Sequence, residues 1–270
     1  MENNPQKNYL FYDLETNGLD YYTTGIMQIS MIDMDGNILL NQYAYPFNGR
    51  IECSDIHGID NQKLIDNNAI TSIELCKLIK RTIRERYGRE NVYLTAYNNF
   101  GYDQIILENN FKICGLKVPS NWYFTDLYPI IKEIYPNMKP NFKLSTVFSQ
   151  LCGDNEIIQF HCALADTTCL YNIFNIISKQ PCNFDKYTRS SLHSGMTLND
   201  PISTLNGYHS VIKFEQKGLK KVGDMYKIFE IVSFNEEQFK DYLKTVYNVY
   251  SNYSVTNILK YFGVIKHFLG

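Results

Sequence analysis

Asp13 and Glu15 lie two residues apart in the segment Phe11–Gly18, whose apolar beginning predicts a β-strand. Alternation along a strand points both side chains to the same face. Two like charges this close repel each other and raise a pKa unless a cation lies between them. Hard divalent cations prefer such oxygen ligands, so the pair could bind Mg²⁺ or Mn²⁺. Taken alone, the pair is equally typical of a solvated strand end.

Two later segments carry further groups of this kind. Asp103 follows the polar stretch Tyr97–Tyr102, between a predicted strand and a predicted helix. His161 and Asp166 lie five residues apart and do not share a helical stripe. They can face one site if His161 sits at the first turn or just before it. Singly, the three residues fit a helix N-cap, an N-terminal helix residue and a surface acid.

Together these segments resemble the DEDD exonucleases of the histidine type, a branch of the ribonuclease-H-like superfamily. The first motif of that family, Asp-x-Glu-Thr-x-Gly, is met by residues 13–18. The second, an Asn-containing stretch that leads to Asp, is met by Asn99 and Asp103. The third, His-x-Ala-x-x-Asp, is met by residues 161–166. The similarity spans about residues 8–180.

Smaller features add to the resemblance. The stretch Tyr97-Asn98-Asn99 is closer to exonuclease I than to the proofreading subunits of polymerases. The segment 56–59 resembles the family's His-Gly-Ile loop, and Asp126 stands where the family has an Asp. We interpret His57 and Asp126 as structural residues. Tyr102 departs from the family, in which Phe is usual at this position.

The resemblance implies a metal-dependent 3′–5′ exonuclease that releases nucleoside monophosphates from single-stranded nucleic acid, with DNA favoured. It implies that Asp13 bridges two Mg²⁺ or Mn²⁺ ions, that Glu15 and Asp166 complete one ion site, and that Asp103 supports the other. His161 would accept a proton from the attacking water, since imidazole exchanges protons near neutral pH. The residues implied to hold the terminal nucleotide are Thr16, Asn17, Gly18, Leu19 and Asn99.

Two alternatives stay open at this point. A ribonuclease or oligoribonuclease of the same family would share every motif, because DNA and RNA differ only through contacts to the 2′-hydroxyl. A catalytically silent nucleic-acid-binding scaffold would keep the fold without the reaction. Such a descendant usually lacks one of the acids, whereas all five motif positions are intact here.

The elements that must position these residues follow an α/β order. Hydrophobic patterning predicts a three-stranded meander, then strands alternating with helices, which makes a ribonuclease-H-like mixed sheet flanked by helices. The predicted strands are 9–13, 26–33, 38–45, 92–96 and 122–125. The predicted helices are 71–87, 102–113, 127–134, 143–151 and 161–178.

The pattern changes near Cys182. We predict an exonuclease domain over residues 1–182, a linker over residues 183–204 and a small helical module over residues 205–270. The stretch 202–225 weakly resembles a helix-hairpin-helix, a unit that grips phosphate backbones without reading sequence. The lysines that would supply its charge are Lys213, Lys217, Lys220 and Lys221. A module that binds a protein partner is an equal alternative.

Composition bounds the remaining possibilities. The 270 residues carry a net charge of −2, distributed as −6 over residues 1–185 and +4 over residues 186–270. An acidic body with a basic tail suits a metal-dependent enzyme that holds a polyanion. Seven cysteines without a Cys-x-x-Cys pair favour free thiols in a reducing compartment, the cytoplasm or the nucleus. The sequence shows neither a signal-peptide pattern nor an 18-residue apolar run, so we expect no membrane partner.

Overall fold

The computed structural model describes residues 7–21, 23–153, 160–192, 218–232 and 235–247. The chain forms two compact units, Met1–Ser191 and Leu192–Gly270. No helix in the described part of the chain is both long enough and apolar enough to cross a membrane. All seven cysteines are free thiols; Cys76 and Cys169 are buried and the other five are half-buried.

The first unit is built on a seven-stranded mixed sheet. Its strands are β1 (Asn8–Thr16), β2 (Ile26–Asp33), β3 (Ile38–Tyr45), β4 (Ile70–Thr71), β5 (Val92–Ala96), β6 (Trp122–Asp126) and β7 (Thr188–Ser190). Their spatial order is β4-β3-β2-β1-β5-β6-β7. The first three form the predicted antiparallel meander, and β5 and β6 add in parallel to β1. This confirms the α/β fold with a mixed sheet.

Helices flank the sheet. Their bounds are α1 (Ser54–His57), α2 (Asn61–Asp66), α3 (Ser72–Tyr87), α4 (Asp103–Ile113), α5 (Leu127–Ile134), α6 (Leu144–Cys152) and α7 (Ala163–Ile177). A 3₁₀ turn, Asn99–Gly101, precedes α4. The predicted capping box at the start of α3 is confirmed, with reciprocal bonds between Thr71 and Glu74.

The packing of β1 explains where its acids point. Phe11 is fully buried and packs with Leu170 and Phe174 of α7. Asp13 and Glu15 follow at alternate positions, so they face the same side as Phe11 and meet the start of α7. Tyr12 points the other way, where its hydroxyl donates to Asn99 Oδ1 at 2.5 Å. The apolar face of β1 therefore fixes the direction of both carboxylates.

The predicted linker is wrong at its beginning. Residues 184–187 form a 3₁₀ turn, and β7 pairs antiparallel with β6 and forms one edge of the sheet. The polar composition of this stretch was misleading because Arg189 is buried by partners far away in the sequence. Its Nε donates to Gln104 Oε1 at 2.6 Å, and its guanidinium lies 4.0 Å from the Phe100 ring centroid. The remainder of the linker, from residue 193, lies outside the described residues.

The second unit is described over two helices, α8 (Val222–Ile231) and α9 (Glu236–Tyr247). Its buried residues include Leu219, Ile228, Val232 and Phe239. Most of the stretch that resembles a helix-hairpin-helix, residues 202–217, lies outside the described residues. The same holds for residues 248–270 of the predicted helical module, so these predictions stay predictions.

Candidate active site

Three acids from distant parts of the chain converge at one point. Each of Asp13, Glu15 and Asp166 offers a carboxylate oxygen, and these oxygens lie within 4.8 Å of one another. Glu15 and Asp166 are buried, and Asp13 is partly accessible. The first two acids come from the end of β1 and the third from the first turn of α7. The structure thus places three of the predicted metal ligands together.

Asp103 lies beside this group without being part of it. It is the first residue of α4, which follows β5, and β5 runs parallel to β1. The carboxyl ends of the two strands therefore meet at one edge of the sheet, where sites of α/β proteins form. Asp103 is buried, and among the neighbouring acids its charge raises the pKa of Asp13 most.

The assembled acids make each other difficult to ionise. Burial raises the pKa of Asp13, and the charges of Asp103, Asp166 and Glu15 add to the effect. Burial and then Asp166 raise the pKa of Glu15 to about 8. Burial also raises the pKa of Asp103, and that of Asp166 to about 6. Such a set holds its full negative charge only beside a compensating positive charge.

The donor set fits a hard divalent cation. All of its atoms are carboxylate oxygens, the ligands that Mg²⁺ and Mn²⁺ prefer. Asp166 Oδ1 is buried and accepts no hydrogen bond in the structure, whereas Asp166 Oδ2 accepts the backbone N–H of His161 at 3.0 Å. A buried carboxylate oxygen without a hydrogen-bond donor, in a residue that clusters with two other acids, is typical of a metal ligand.

His161 lies two residues before α7, the second of the two positions that the sequence left open, because the helix begins later than its predicted start at residue 161. Its side chain is exposed, and its backbone has a φ of +64°, in the left-handed region that non-glycine residues seldom adopt. This conformation turns its N–H onto Asp166. The helix begins at Ala163, so His161 is not part of it. Two helical residues five positions apart would face different sides, but this restriction does not apply to His161 and Asp166. The backbone thus ties His161 directly to an acid of the site.

The predicted substrate contacts are less uniform. Leu19 is 80% exposed, and Gly18 is half-buried. Asn17 is buried; its amide donates to Asn48 Oδ1 at 2.7 Å and to Arg50 O at 2.6 Å, while its Oδ1 accepts the Gly25 N–H at 2.7 Å. The Asn17 side chain therefore shapes the loop instead of reaching into solvent.

Asn99 is also buried away from any substrate. Its Nδ2 donates to Leu94 O at 3.0 Å and to Thr125 O at 2.9 Å, and its Oδ1 accepts from Tyr12. These bonds hold the end of β5 against β1 and β6. The prediction of a direct polar contact to the nucleotide does not fit this geometry, and we assign Asn99 a positioning role.

Thr16 is buried as well, and it contacts His57 and Tyr102. Its carbonyl oxygen lies 3.2 Å from His57 Nε2, and His57 Nδ1 accepts the Ile59 N–H at 3.0 Å, so Nε2 carries the proton. Burial lowers the pKa of His57, which favours this neutral form. The interpretation of His57 as structural agrees with these contacts.

The structure adds residues that the motifs did not indicate. The Tyr102 hydroxyl lies 2.5 Å from both Thr16 Oγ1 and Gly18 O. Lys63, on α2, is close enough to Glu15 to lower the pKa of that acid. Lys63 follows the His-Gly-Ile loop by four residues, which is the only signal the sequence offers for it.

Solved structures of exonuclease I share this fold. A zinc-bound form of the E. coli enzyme with single-stranded DNA superposes with a TM-score of 0.56 at 20% identity, over 67% of this chain and 42% of that one. A complex of the E. coli enzyme with a dA16 oligonucleotide gives 0.55 at 19% identity, over 67% and 42% of the two chains. Because the sequences are so different, this likeness shows the fold alone, which is ribonuclease-H-like.

A curated relative is similar in sequence. Exonuclease DPD1, chloroplastic/mitochondrial, of Arabidopsis thaliana is 28% identical over 172 residues, which are 60% of this chain and 53% of that protein. The chain thus spans about half the length of this relative and less than half of exonuclease I. The family model described as Exonuclease (RNase_T) matches residues 10–174, more than half of the chain and all five of the residues Asp13, Glu15, Asp103, His161 and Asp166. The chain belongs to the Exonuclease family.

Proposed function

We propose that the protein is a 3′–5′ exonuclease of the histidine-type DEDD group that removes mononucleotides from single-stranded DNA with the help of divalent cations. The convergence of the Asp13, Glu15 and Asp166 oxygens within 4.8 Å carries the proposal. Membership of the Exonuclease family supports hydrolysis of nucleic acid. The complexes of E. coli exonuclease I with single-stranded oligonucleotides support the substrate class.

The acids divide naturally between two Mg²⁺ or Mn²⁺ ions. Asp13, Glu15 and Asp166 would hold one, and Asp13 with Asp103 would hold the other. When bound, two such ions neutralise the acids, activate water and stabilise charge on the phosphate and leaving oxygens. The orphaned Asp166 Oδ1 and the raised pKa of each acid support this assignment.

The remaining chemistry belongs to His161. Its imidazole is exposed beside Asp166, so it can accept a proton from the attacking water and pass it to solvent. Its left-handed backbone and its N–H bond to Asp166 hold it near the acids. Leu19 would pack against the terminal base because it is the most exposed large apolar residue of the loop after β1.

The test uses 5′-labelled single-stranded DNA and RNA of one sequence, with Mg²⁺, Mn²⁺ or EDTA. We expect a ladder of shortening labelled products with either metal, faster on DNA, and no products in EDTA. Immediate release of a labelled mononucleotide would indicate the opposite polarity. Faster shortening of RNA would favour the ribonuclease alternative, and retarded but intact strands would favour the silent scaffold.

Point variants attribute the reaction to the site. Asp13→Asn should reduce the rate by about 10³-fold or more, and His161→Gln by about 10²–10⁴-fold. Glu85→Gln, an exposed acid on α3, is the matched control and should keep the wild-type rate. An Asp13→Asn variant with an unchanged rate would refute the assignment, provided that its circular dichroism matches that of the wild type.

A further inference from the structure

Lys63 brings a cation to the rim of the acid cluster. It lies on α2, whose start is fixed by the Asp60 side chain, which accepts the Lys63 backbone N–H at 2.8 Å. The ammonium lies 5.9 Å from the centroid of the Tyr43 ring, within the range of a cation–π contact. It also borders the His-Gly-Ile loop, because a Cβ placed on Gly58 would lie 4.0 Å from Lys63 Nζ.

The register of the sheet relates this position to Glu15. Glu15 of β1 is directly opposite Gln28 of β2, and Gln28 is directly opposite Tyr43 of β3. Residues directly opposite each other share a face of the sheet. Tyr43 therefore stands two strands from Glu15 on the face that carries the acids, and the Lys63 ammonium lies over its ring.

The ammonium keeps its charge available. Among the described residues, no carboxylate lies within 4.0 Å of Lys63 Nζ, so the ammonium is engaged in no ion pair there. The acids near Lys63 in the sequence bind other groups: Asp60 accepts the Lys63 backbone N–H, and Asp66 accepts from the Gln62 side chain.

We propose that Lys63 binds a phosphodiester group of the bound strand, next to the bond that is cut. This inference rests on the proposed nuclease function. Two divalent cations would neutralise the three acids of the cluster and Asp103 beside it, and the phosphates on either side of the scissile bond would still lack a positively charged partner. Lys63 supplies a positive charge on the face of the sheet that carries Glu15, where its ammonium contacts the Tyr43 ring. A lysine suits this role because its ammonium binds phosphate as a point charge, without a fixed geometry.

The first test is the salt dependence of binding. The full chain is titrated with a fluorescent single-stranded oligodeoxynucleotide in Ca²⁺, and the oligonucleotide is checked for integrity afterwards. Lys63→Met should weaken binding about tenfold at low salt and reduce the slope of log K against log salt by about 0.7, the value for one phosphate of a single strand. Lys63→Arg should keep the slope.

A control separates this effect from loss of charge in general. Lys77→Met removes the same charge from the exposed face of α3 and should leave the slope unchanged. Equal slopes for Lys63→Met and the wild type would overturn the inference. Equal losses in Lys63→Met and Lys77→Met would also overturn it, since a diffuse field would then explain both. Absence of any strand shortening by the wild type would instead refute the proposed function itself.

The second test locates the phosphate. A series of strands carries one neutral methylphosphonate at each of the last four linkages. The linkage that Lys63 contacts should weaken wild-type binding but have no further effect on Lys63→Met, because the two changes remove the same interaction. Additive losses at every linkage would contradict a direct contact. A coupled loss confined to one linkage identifies the phosphate.

Discussion

Burial and mutual repulsion raise the pKa of each acid at the site, and this has a consequence for stability. A group with a raised pKa in the folded state stabilises the fold at low pH and loses that contribution as the pH rises through its folded value. Glu15, with a pKa of about 8, and Asp166, with a pKa of about 6, define the window.

We therefore expect the free energy of unfolding in EDTA to fall between about pH 4 and pH 8. Each unit of raised pKa corresponds to about 1.4 kcal/mol, so the total loss should reach a few kcal/mol. Urea titrations at a series of pH values measure it. Mg²⁺ should restore stability at pH 8, and Asp13→Asn should flatten the EDTA curve. A pH-independent curve in EDTA would contradict the clustering of these acids.

Tyr102 gives a second prediction at this scale. Its hydroxyl donates to Gly18 O and lies within hydrogen-bond distance of Thr16 Oγ1, which connects the segment before Asp103 to the loop that carries the exposed Leu19. Tyr102→Phe should raise KM about three- to tenfold and change kcat less than twofold, because the loop loses its anchor while the acids stay in place. Tyr123→Phe on β6 is the control. A fall in kcat at constant KM would show that the hydroxyl acts on the reaction instead.

Sequence reasoning identified the acids and His161 because each belongs to a short motif whose spacing is visible in the chain. It did not indicate the positions of Lys63 and the Tyr102 hydroxyl beside the site, because folding supplies their neighbours. It misplaced Asn99 for the same reason. From sequence, an asparagine beside a catalytic motif suggests a contact to the substrate. Only the structure shows that Asn99 is buried and donates to Leu94 O and Thr125 O.

At the scale of elements, the long periodic segments were predictable and short β7 was not. Most helices and strands end within two residues of their predicted bounds, since apolar spacing and caps mark them locally. Along α3, Ile73 shares the helical spacing of Cys76, Ile79 and Ile83 but is exposed, and Leu75 is buried instead. The three-residue strand β7 carries no periodicity, and its Arg189 side chain donates to Gln104 and Phe100, 85 and 89 residues away.

The burial around β7 predicts where the first unit can be cut. Glu108 is fully buried and accepts from Gln104 Nε2 at 2.7 Å and from Ser191 Oγ at 2.9 Å. A chain ending at Ser191 keeps these contacts and should unfold cooperatively. A chain ending at Cys182 loses the bond from Arg189 to Gln104 and the bond from Ser191 to Glu108, which should cost about 3–6 kcal/mol because each involves a charged side chain.

Thermal unfolding of the two truncated chains measures the difference. With about 2–4 °C lost per kcal/mol in a domain of this size, the shorter chain should melt at least about 6 °C below the longer one or fail to fold. Arg189→Met in the chain ending at Ser191 tests the guanidinium separately. Equal melting temperatures would assign β7 no role in the fold.

For the whole molecule, the division after Ser191 changes the net charge of the second unit from the value calculated for the predicted tail. The segment 192–270 carries nine basic and seven acidic residues, because Lys186 and Arg189 belong to the first unit. Its net charge of +2 is smaller than the +4 of the predicted tail. A nucleic-acid role for the second unit therefore depends on how its lysines are distributed.

Deletion of residues 192–270 tests that role. If the second unit grips the strand, the truncated chain should bind a long oligonucleotide several-fold more weakly and with a shallower salt slope, while its kcat on a saturating trinucleotide stays within about twofold. Identical binding curves would remove the second unit from substrate recognition and favour the alternative of a protein-binding module.

The loop after β1 is closed at its base by two hydrogen bonds between Asn17 and Gly25. The Asn17 N–H donates to Gly25 O at 3.2 Å, and the Gly25 N–H returns to Asn17 Oδ1. Space at Gly25 permits no side chain, since a Cβ there would lie 2.5 Å from Pro46 Cβ. Between these two residues, Tyr21 and Thr24 are buried; the Tyr21 hydroxyl donates to Gly101 O, and Asn110 Nδ2 donates to Thr24 O. Redesign of this loop for a different strand terminus is therefore confined to the exposed Leu19, which can change while the bonds to the segment around Asp103 stay intact.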